Sequence, residues 1–76
     1  MAPSRSSAHA RLGAAIKATR EEKKKTQAQI SGLMGVPATF LSDLERGIRN
    51  PSLSTLYSLA KALDVKLSEL LARARQ

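Results

Sequence analysis

The chain has no cysteine and no tryptophan, and its 76 residues include one histidine, one phenylalanine and one tyrosine. Without cysteine there are no disulfides, and a lone His9 is not a zinc site, so neither can supplement a core this small. No apolar run approaches the roughly 20 residues that a membrane-spanning helix needs. We therefore expect one small soluble, cytoplasmic domain held together by helix packing, with no metal, no cofactor, no small-molecule ligand and no membrane partner.

Acidic residues are scarce as well. The chain carries 6 Asp and Glu residues against 13 Lys and Arg residues, a net charge of +7. This excess indicates a polyanionic partner, although many small domains carry extra charge only for solubility. No nucleophile–base pair and no glycine-rich phosphate loop occurs in the chain, so we do not expect an enzyme.

The segment Thr26–Gly47 predicts two short helices joined by a tight turn. Ile30 and Met34 share one face of the first helix at i, i+4, and Leu41 and Leu44 share one face of the second at i, i+3. The two apolar faces can meet across the turn. The pattern is that of a helix-turn-helix.

Polar and special residues mark the ends of these two helices. Thr26 and Gln29 form a T-x-x-Q capping box at the start of helix 2, and Gly35 can end that helix in the left-handed conformation. Pro37 suits the first position of helix 3, where its missing N–H costs nothing. The small Ser31 allows the two helices to approach closely.

Helix 3, predicted over Pro37–Arg46, has an unusual outer face. The residues on it are mostly short and polar, whereas a solvated face would favour Lys and Glu; they are Thr39, Ser42, Asp43 and Arg46. Short polar side chains suit a helix that enters the major groove of DNA and reaches the edges of the bases. Arg49 and Asn50 follow in a loop at the end of this face.

The remaining helices supply the core. Helix 1, predicted from Ala10 to about Lys24, buries Leu12 and Ile16, and its terminal run 23–25 either complements the helix dipole or contacts phosphate. Ile48 is expected to fold back as a core anchor and Tyr57 to pack against the core. Helix 4 follows the cap residue Ser52, and its predicted core stripe is Leu53, Leu56, Leu59, Ala60 and Leu63. A last helix carries Leu67, Leu70 and Leu71.

These helices divide the chain into three parts. Residues 1–9 are predicted to be a flexible tail, residues 10–72 the helix-turn-helix domain, and residues 73–76 a frayed basic end. Within the tail, Arg5 is either a solvated residue or a basic arm that reaches a neighbouring phosphate.

The segment from Thr26 to Leu71 resembles the helix-turn-helix domain of phage Cro and repressor proteins, also called the xenobiotic-response-element family. The residues that carry the resemblance are TQ, G-V, LSDLERG, R-N-P-S and LAKAL, which occur together at family spacings. The similarity covers about Leu12 to Leu71. It implies an all-α, five-helix, lambda-repressor-like domain that places helix 3 in the major groove.

The resemblance also implies roles for individual residues. Ala38, Thr39 and Asp43 fall at base-facing positions, to which the face of helix 3 adds Ser42. Phosphate-contacting positions fall on Gln27, Arg49 and Asn50, and Arg46 is expected to anchor the backbone with them. Arg20 and Glu45 match an internal ion pair that links helix 1 to helix 3.

Some positions depart from the family pattern. Lys24 and Lys25 stand where helix 1 usually ends in a glycine and an apolar residue. Pro37 and Ala38 replace a polar cap and a longer polar residue, so direct readout by Ala38 is limited to apolar contact, for example with a thymine methyl group. Asp43 either accepts a hydrogen bond from a cytosine amino group or is held by Arg46 or Arg49 as an orienting pair.

The expected function is that of a transcriptional regulator, a repressor or small controller protein, that binds double-stranded DNA as a homodimer on a palindromic operator in the nucleoid. Dimerisation is assigned to Leu67, Leu70 and Leu71, each of which has an alternative place in the monomer core. The alternative function is a protein-interaction module, an antitoxin or coactivator that contacts a toxin or the transcription machinery. Leu33, which either tucks under helix 4 or stays exposed, would then be functional.

Overall fold

The computed structural model describes the backbone of residues 4–75 and the side chains of residues 8–75. This part of the chain forms five helices and contains no strand. The helices are α1 (Ser4–Glu22), α2 (Gln27–Met34), α3 (Ala38–Glu45), α4 (Leu53–Leu63) and α5 (Leu67–Ala74). The predicted all-α fold of five helices is confirmed. None of the described helices is long and apolar enough to cross a membrane.

Local hydrogen bonds define the helix-turn-helix, as predicted. The Thr26 hydroxyl accepts a hydrogen bond from the Gln29 backbone N–H at 3.0 Å, and the Gln29 side chain accepts one from the Thr26 N–H at 2.8 Å. Gly35 ends α2 with a φ of 73°, in the left-handed region that favours glycine. Pro37 is the cap of α3 and not its first helical residue, since its ψ of 152° is extended.

The core lies where the inner faces of all five helices meet. Its fully buried large side chains are Ile16, Ile30, Leu41, Leu44, Leu59, Leu63 and Leu70. Each such side chain contributes about 1.5–3 kcal/mol by leaving water. The predicted place of Leu70 at a dimer interface is therefore wrong, because it is enclosed within its own chain. Leu67 packs against the same core, and Leu71 is exposed.

The bounds of α1 and α5 differ from the prediction. Residues 4–9 are helical, so α1 begins at Ser4 and not at Ala10. At the other end of the chain, Arg73 lies within α5 and donates hydrogen bonds to Glu22 and Thr19 on α1, so it is not frayed. Residues of α1, which are distant in sequence, therefore hold the Arg73 side chain in place. Residues 1–3, residue 76 and the side chain of Arg5 lie outside the described part of the chain.

The turn after α1 contains a residue in the left-handed conformation, and this residue is not a glycine. Lys24 has a φ of 58°, and its N–H donates to the carbonyl of Glu21 at 3.0 Å. Such a conformation costs a residue with a Cβ roughly 1–2 kcal/mol. Lys23 extends to the end of α4, where its ammonium group donates to the carbonyl of Asp64 at 3.4 Å.

Three residues that were predicted to lie in or against the core are exposed. Ile48 is 62% exposed, and Leu53 is 64% exposed. Leu53 is the first residue of α4 and shares a face with Tyr57, four positions later. Tyr57 is exposed too, so its predicted packing against the core is wrong. These side chains form part of the surface.

Candidate nucleic-acid interface

The outer face of α3 is the centre of the candidate interface. Ala38 and Thr39 are exposed at its start, Ser42 and Asp43 are half-buried in its middle, and Arg46 is exposed at its end. Their spacing brings these residues to one side of the helix. The face therefore offers a methyl group, two hydroxyls, one carboxylate and one guanidinium.

The carboxylate on this face lies between two arginines. Asp43 Oδ1 is 3.9 Å from Arg46 Nη1, and Asp43 Oδ2 is 3.8 Å from Arg49 Nη2. Arg46 or Arg49 was predicted to orient Asp43, and the structure places both within ion-pair distance. The negative charge of Asp43 is thus partly compensated by positive charge on two sides.

Arg49 has a second contact, which the sequence analysis missed. Its Cζ lies 4.5 Å from the centroid of the Phe40 ring, within the range of a cation–π interaction. Phe40 itself packs against the core and remains half-exposed. No short-range pattern signals this contact, because Arg49 lies beyond the end of α3 and reaches back over it.

A hydrogen-bonded network supports the interface from behind. Arg20 Nε donates to Glu45 Oε2 at 2.6 Å, and Arg20 Nη2 donates to Glu45 Oε1 at 3.0 Å. Gln27 Nε2 also donates to Glu45 Oε1, at 2.9 Å, and Arg20 Nη1 donates to the carbonyl of Lys25 at 2.8 Å. The ion pair that the resemblance implied is present, and it joins α1, α2 and α3.

This network has an electrostatic signature on Arg20. The hydrogen bonds that Arg20 donates to Glu45 raise the pKa of Arg20 above its usual value, in spite of the opposing effect of burial. The guanidinium therefore remains charged wherever the fold persists. Because Gln27 shares the same carboxylate, its side chain is held at the start of α2.

The N-terminus of α2 is suited to an anion. The capping box uses the backbone N–H groups of Thr26 and Gln29, and it does not involve those of Gln27 and Ala28, the first two helical residues. Free N–H groups at the positive end of a helix dipole favour a phosphate oxygen. One of the two amide hydrogens of Gln27 donates to Glu45, and the other is not used in that bond.

Comparison with known proteins agrees with this geometry. A family model described as helix-turn-helix matches residues 16–70. The HTH-type transcriptional regulator y4dJ of Sinorhizobium fredii is 44% identical over 59 residues, which cover 78% of this chain and 77% of that protein. The immunity repressor protein of Bacillus phage phi105 is 42% identical over 59 residues, again 78% of this chain. The chain spans 41% of the length of that repressor.

A solved structure extends the similarity to three dimensions. The restriction-modification controller protein C.Esp1396I, determined as a tetramer with its natural 35 base-pair operator, aligns with a TM-score of 0.78 and 25% identity. The alignment covers 91% of this chain and 96% of that one. The chain belongs to the helix-turn-helix family of phage-type repressors and transcriptional regulators, which are DNA-binding proteins and not enzymes.

Proposed function

We propose that this protein is a sequence-specific regulator of transcription that inserts α3 into the major groove as a homodimer on a palindromic operator. The observation that carries the proposal is the short, polar, exposed face of α3, bordered by anion-binding groups. Gln27, at the start of α2, contacts Glu45 at the end of α3, and Arg49 and Asn50 lie in the loop that follows. Phosphate contacts on both sides of a reading helix fix its position on the duplex.

The chemistry of each side chain decides whether it contacts a base or a phosphate. Thr39 and Ser42 offer hydroxyls to base edges, and Ala38 offers a methyl group for contact with thymine. Asp43 lies on the same face, between the guanidinium groups of Arg46 and Arg49. The residues for the phosphates are Gln27, Arg46, Arg49 and Asn50. Because so few hydrogen-bonding groups face the bases, part of the sequence preference comes from the shape of the DNA.

The dimensions of the domain support a dimer. It measures 36 × 23 × 22 Å, so two copies side by side can hold equivalent helices about 34 Å apart, one turn of B-DNA. The name of the phi105 relative and the operator complex of C.Esp1396I support repression through such a site.

We infer that one copy contacts the other through the exposed face of α4 that carries Leu53 and Tyr57. This face begins directly after the loop that holds Arg49, so docking there keeps both α3 helices on one side of the assembly.

Selection of bound fragments from random double-stranded DNA, followed by sequencing, tests this function. We expect a palindrome whose half-sites are centred about one helical turn apart, and an affinity that falls steeply with salt. Recovery of unrelated sequences, or binding that does not depend on salt, would contradict it. A single unrepeated half-site would retain DNA recognition and overturn the dimer.

One observation favours the alternative function, a protein-interaction module such as an antitoxin or coactivator. Leu33 is 69% exposed on the outer side of α2, and it lines a surface cavity of about 310 Å³ with Ser58, Lys61 and Ala62. If this function is the main one, Leu33→Ser abolishes regulation in cells while the selected DNA sequence stays the same. If DNA binding alone regulates, Leu33→Ser leaves both unchanged.

A further inference from the structure

Arg49 is held by two contacts of different kinds. The Phe40 ring lies beneath its guanidinium, with 4.5 Å between Cζ and the ring centroid. The Asp43 carboxylate lies beside it, with 3.8 Å between Oδ2 and Nη2. Phe40 and Asp43 are three positions apart on α3, so both project to the same side of the helix. Together they form a seat for a side chain that comes from the loop.

These contacts leave the hydrogen-bonding groups of Arg49 available. A nitrogen–oxygen distance of 3.8 Å is an ion pair without a hydrogen bond, and a ring face accepts a cation through its quadrupole. The five N–H donors of the guanidinium are thus not used by the seat. The side chain is restrained, and its donors remain free for a phosphate.

We propose that Phe40 and Asp43 are positioning residues that order Arg49 before DNA arrives, so that it meets a backbone phosphate without first losing its rotamer freedom. This proposal rests on the proposed DNA-binding function. It gives Asp43 the role of orienting an arginine that binds the DNA backbone, and not the role of reading a base. It also explains how an acidic residue can lie at the centre of a face that approaches phosphates. Arg46, at 3.9 Å from Asp43, shares in the neutralisation.

The expected change in DNA affinity follows from the fraction of time that the Arg49 side chain spends in its ordered state. A side chain that samples many rotamers binds more weakly in proportion to the fraction of time it spends in the competent one. An exposed cation–π contact shifts such a population by about two- to fivefold. Loss of the ring should therefore weaken DNA binding by about that factor, equally for operator and random DNA.

A double-mutant cycle isolates this role. Phe40→Leu keeps an apolar side chain without a ring face, and Phe40→Tyr keeps the ring, so the first should lose affinity and the second should not. In an Arg49→Ala background, Phe40→Leu should have no further effect on affinity. The salt slope should fall by about one unit for Arg49→Ala and stay unchanged for Phe40→Leu, since the phosphate contact still forms. A full effect of Phe40→Leu in the Arg49→Ala background would overturn the proposal.

Asp43→Asn tests the second contact without altering the core. Removal of a negative charge favours binding to any DNA. The informative quantity is therefore the difference between the change in affinity with Arg49 present and the change in Arg49→Ala. We expect the gain in affinity to be about two- to fivefold smaller with Arg49 present than in Arg49→Ala, with the selected sequence unchanged. A matched control, Thr39→Ala, should change the selected sequence. If Asp43→Asn changes the preference at a cytosine, Asp43 reads a base and the proposal is wrong.

A measurement on the DNA-free protein distinguishes this proposal from the proposed DNA-binding function on which it rests. The ring current of Phe40 should move the NMR signals of the Arg49 side-chain protons upfield, and the shift should disappear in Phe40→Leu and persist in Phe40→Tyr. Normal shifts in the parent protein would overturn the seat, whether or not DNA binds. An intact seat in a protein that binds no DNA would instead overturn the proposed function.

Discussion

Arg20 and Glu45 form a two-pronged ion pair between α1 and the end of α3, with only 11% and 4% of their side chains exposed. Glu45→Gln would leave the Arg20 guanidinium without its counter-charge in a largely buried place. We expect the free energy of unfolding to fall by about 3 kcal/mol, as measured by urea denaturation. Glu21→Gln removes an exposed carboxylate next to Arg20 at the end of α1 and serves as the control. Equal unfolding midpoints for the two variants would contradict a stabilising role for the pair.

Glu22 and Arg73 predict a pH dependence of stability. Hydrogen bonds from Arg73 lower the pKa of Glu22 below its usual value of 4.5. A carboxylate whose pKa is lower in the folded state stabilises the fold above the unfolded-state pKa, and this contribution disappears as the pH falls through the folded-state pKa. Glu22→Gln should therefore melt below the parent protein at pH 7, and the difference should vanish as the pH falls from about 5 through the lowered pKa. A melting difference that does not change with pH would refute this account.

Gly13 and Gly32 form a matched pair of helical glycines. A Cβ on Gly13 would lie 2.6 Å from the carbonyl oxygen of Leu44, whereas one on Gly32 would meet nothing within 4 Å. Gly13→Ala should force α1 away from the end of α3 and lower the free energy of unfolding by about 1–3 kcal/mol. Gly32→Ala should raise it by about 1 kcal/mol, because alanine is the better helix former. Chemical denaturation of both variants tests the close approach, and stabilisation by both would disprove it.

Leu53 and Leu71 discriminate between two surfaces for dimerisation. In an isologous interface each residue occurs twice, so Leu53→Ser would remove two buried leucine side chains, worth about 3 kcal/mol or more. Sedimentation should show the dimer dissociation constant rising by about a hundredfold, with the monomer fold intact because Leu53 is exposed. Leu71→Ser should leave the constant unchanged. The opposite result would place the interface on α5, as the sequence analysis predicted.

The interface itself could be predicted in part. The outer face of α3 follows from the period of a helix, and the ion pair of Arg20 with Glu45 followed from the resemblance. The contact of Arg49 with Phe40 did not, because a loop conformation decides it. Leu70 had two predicted places, a dimer interface and the monomer core, and it lies in the core, whereas Leu53 was assigned to the core and is exposed. A stripe of leucines does not show how far a helix extends past its neighbours.

The sequence by itself determined the features that depend on neighbours within a few residues: the capping box of Thr26 and Gln29, the left-handed Gly35, and the apolar pairs that face each other across the turn. These follow from hydrogen bonds and helical spacing, which are local. Only the tertiary structure decided which side chains meet across longer distances. Arg73 with Glu22, Gly13 with Leu44, and Arg49 with Phe40 depend on how whole helices and loops are placed, and that placement is a compromise among all the packed side chains at once.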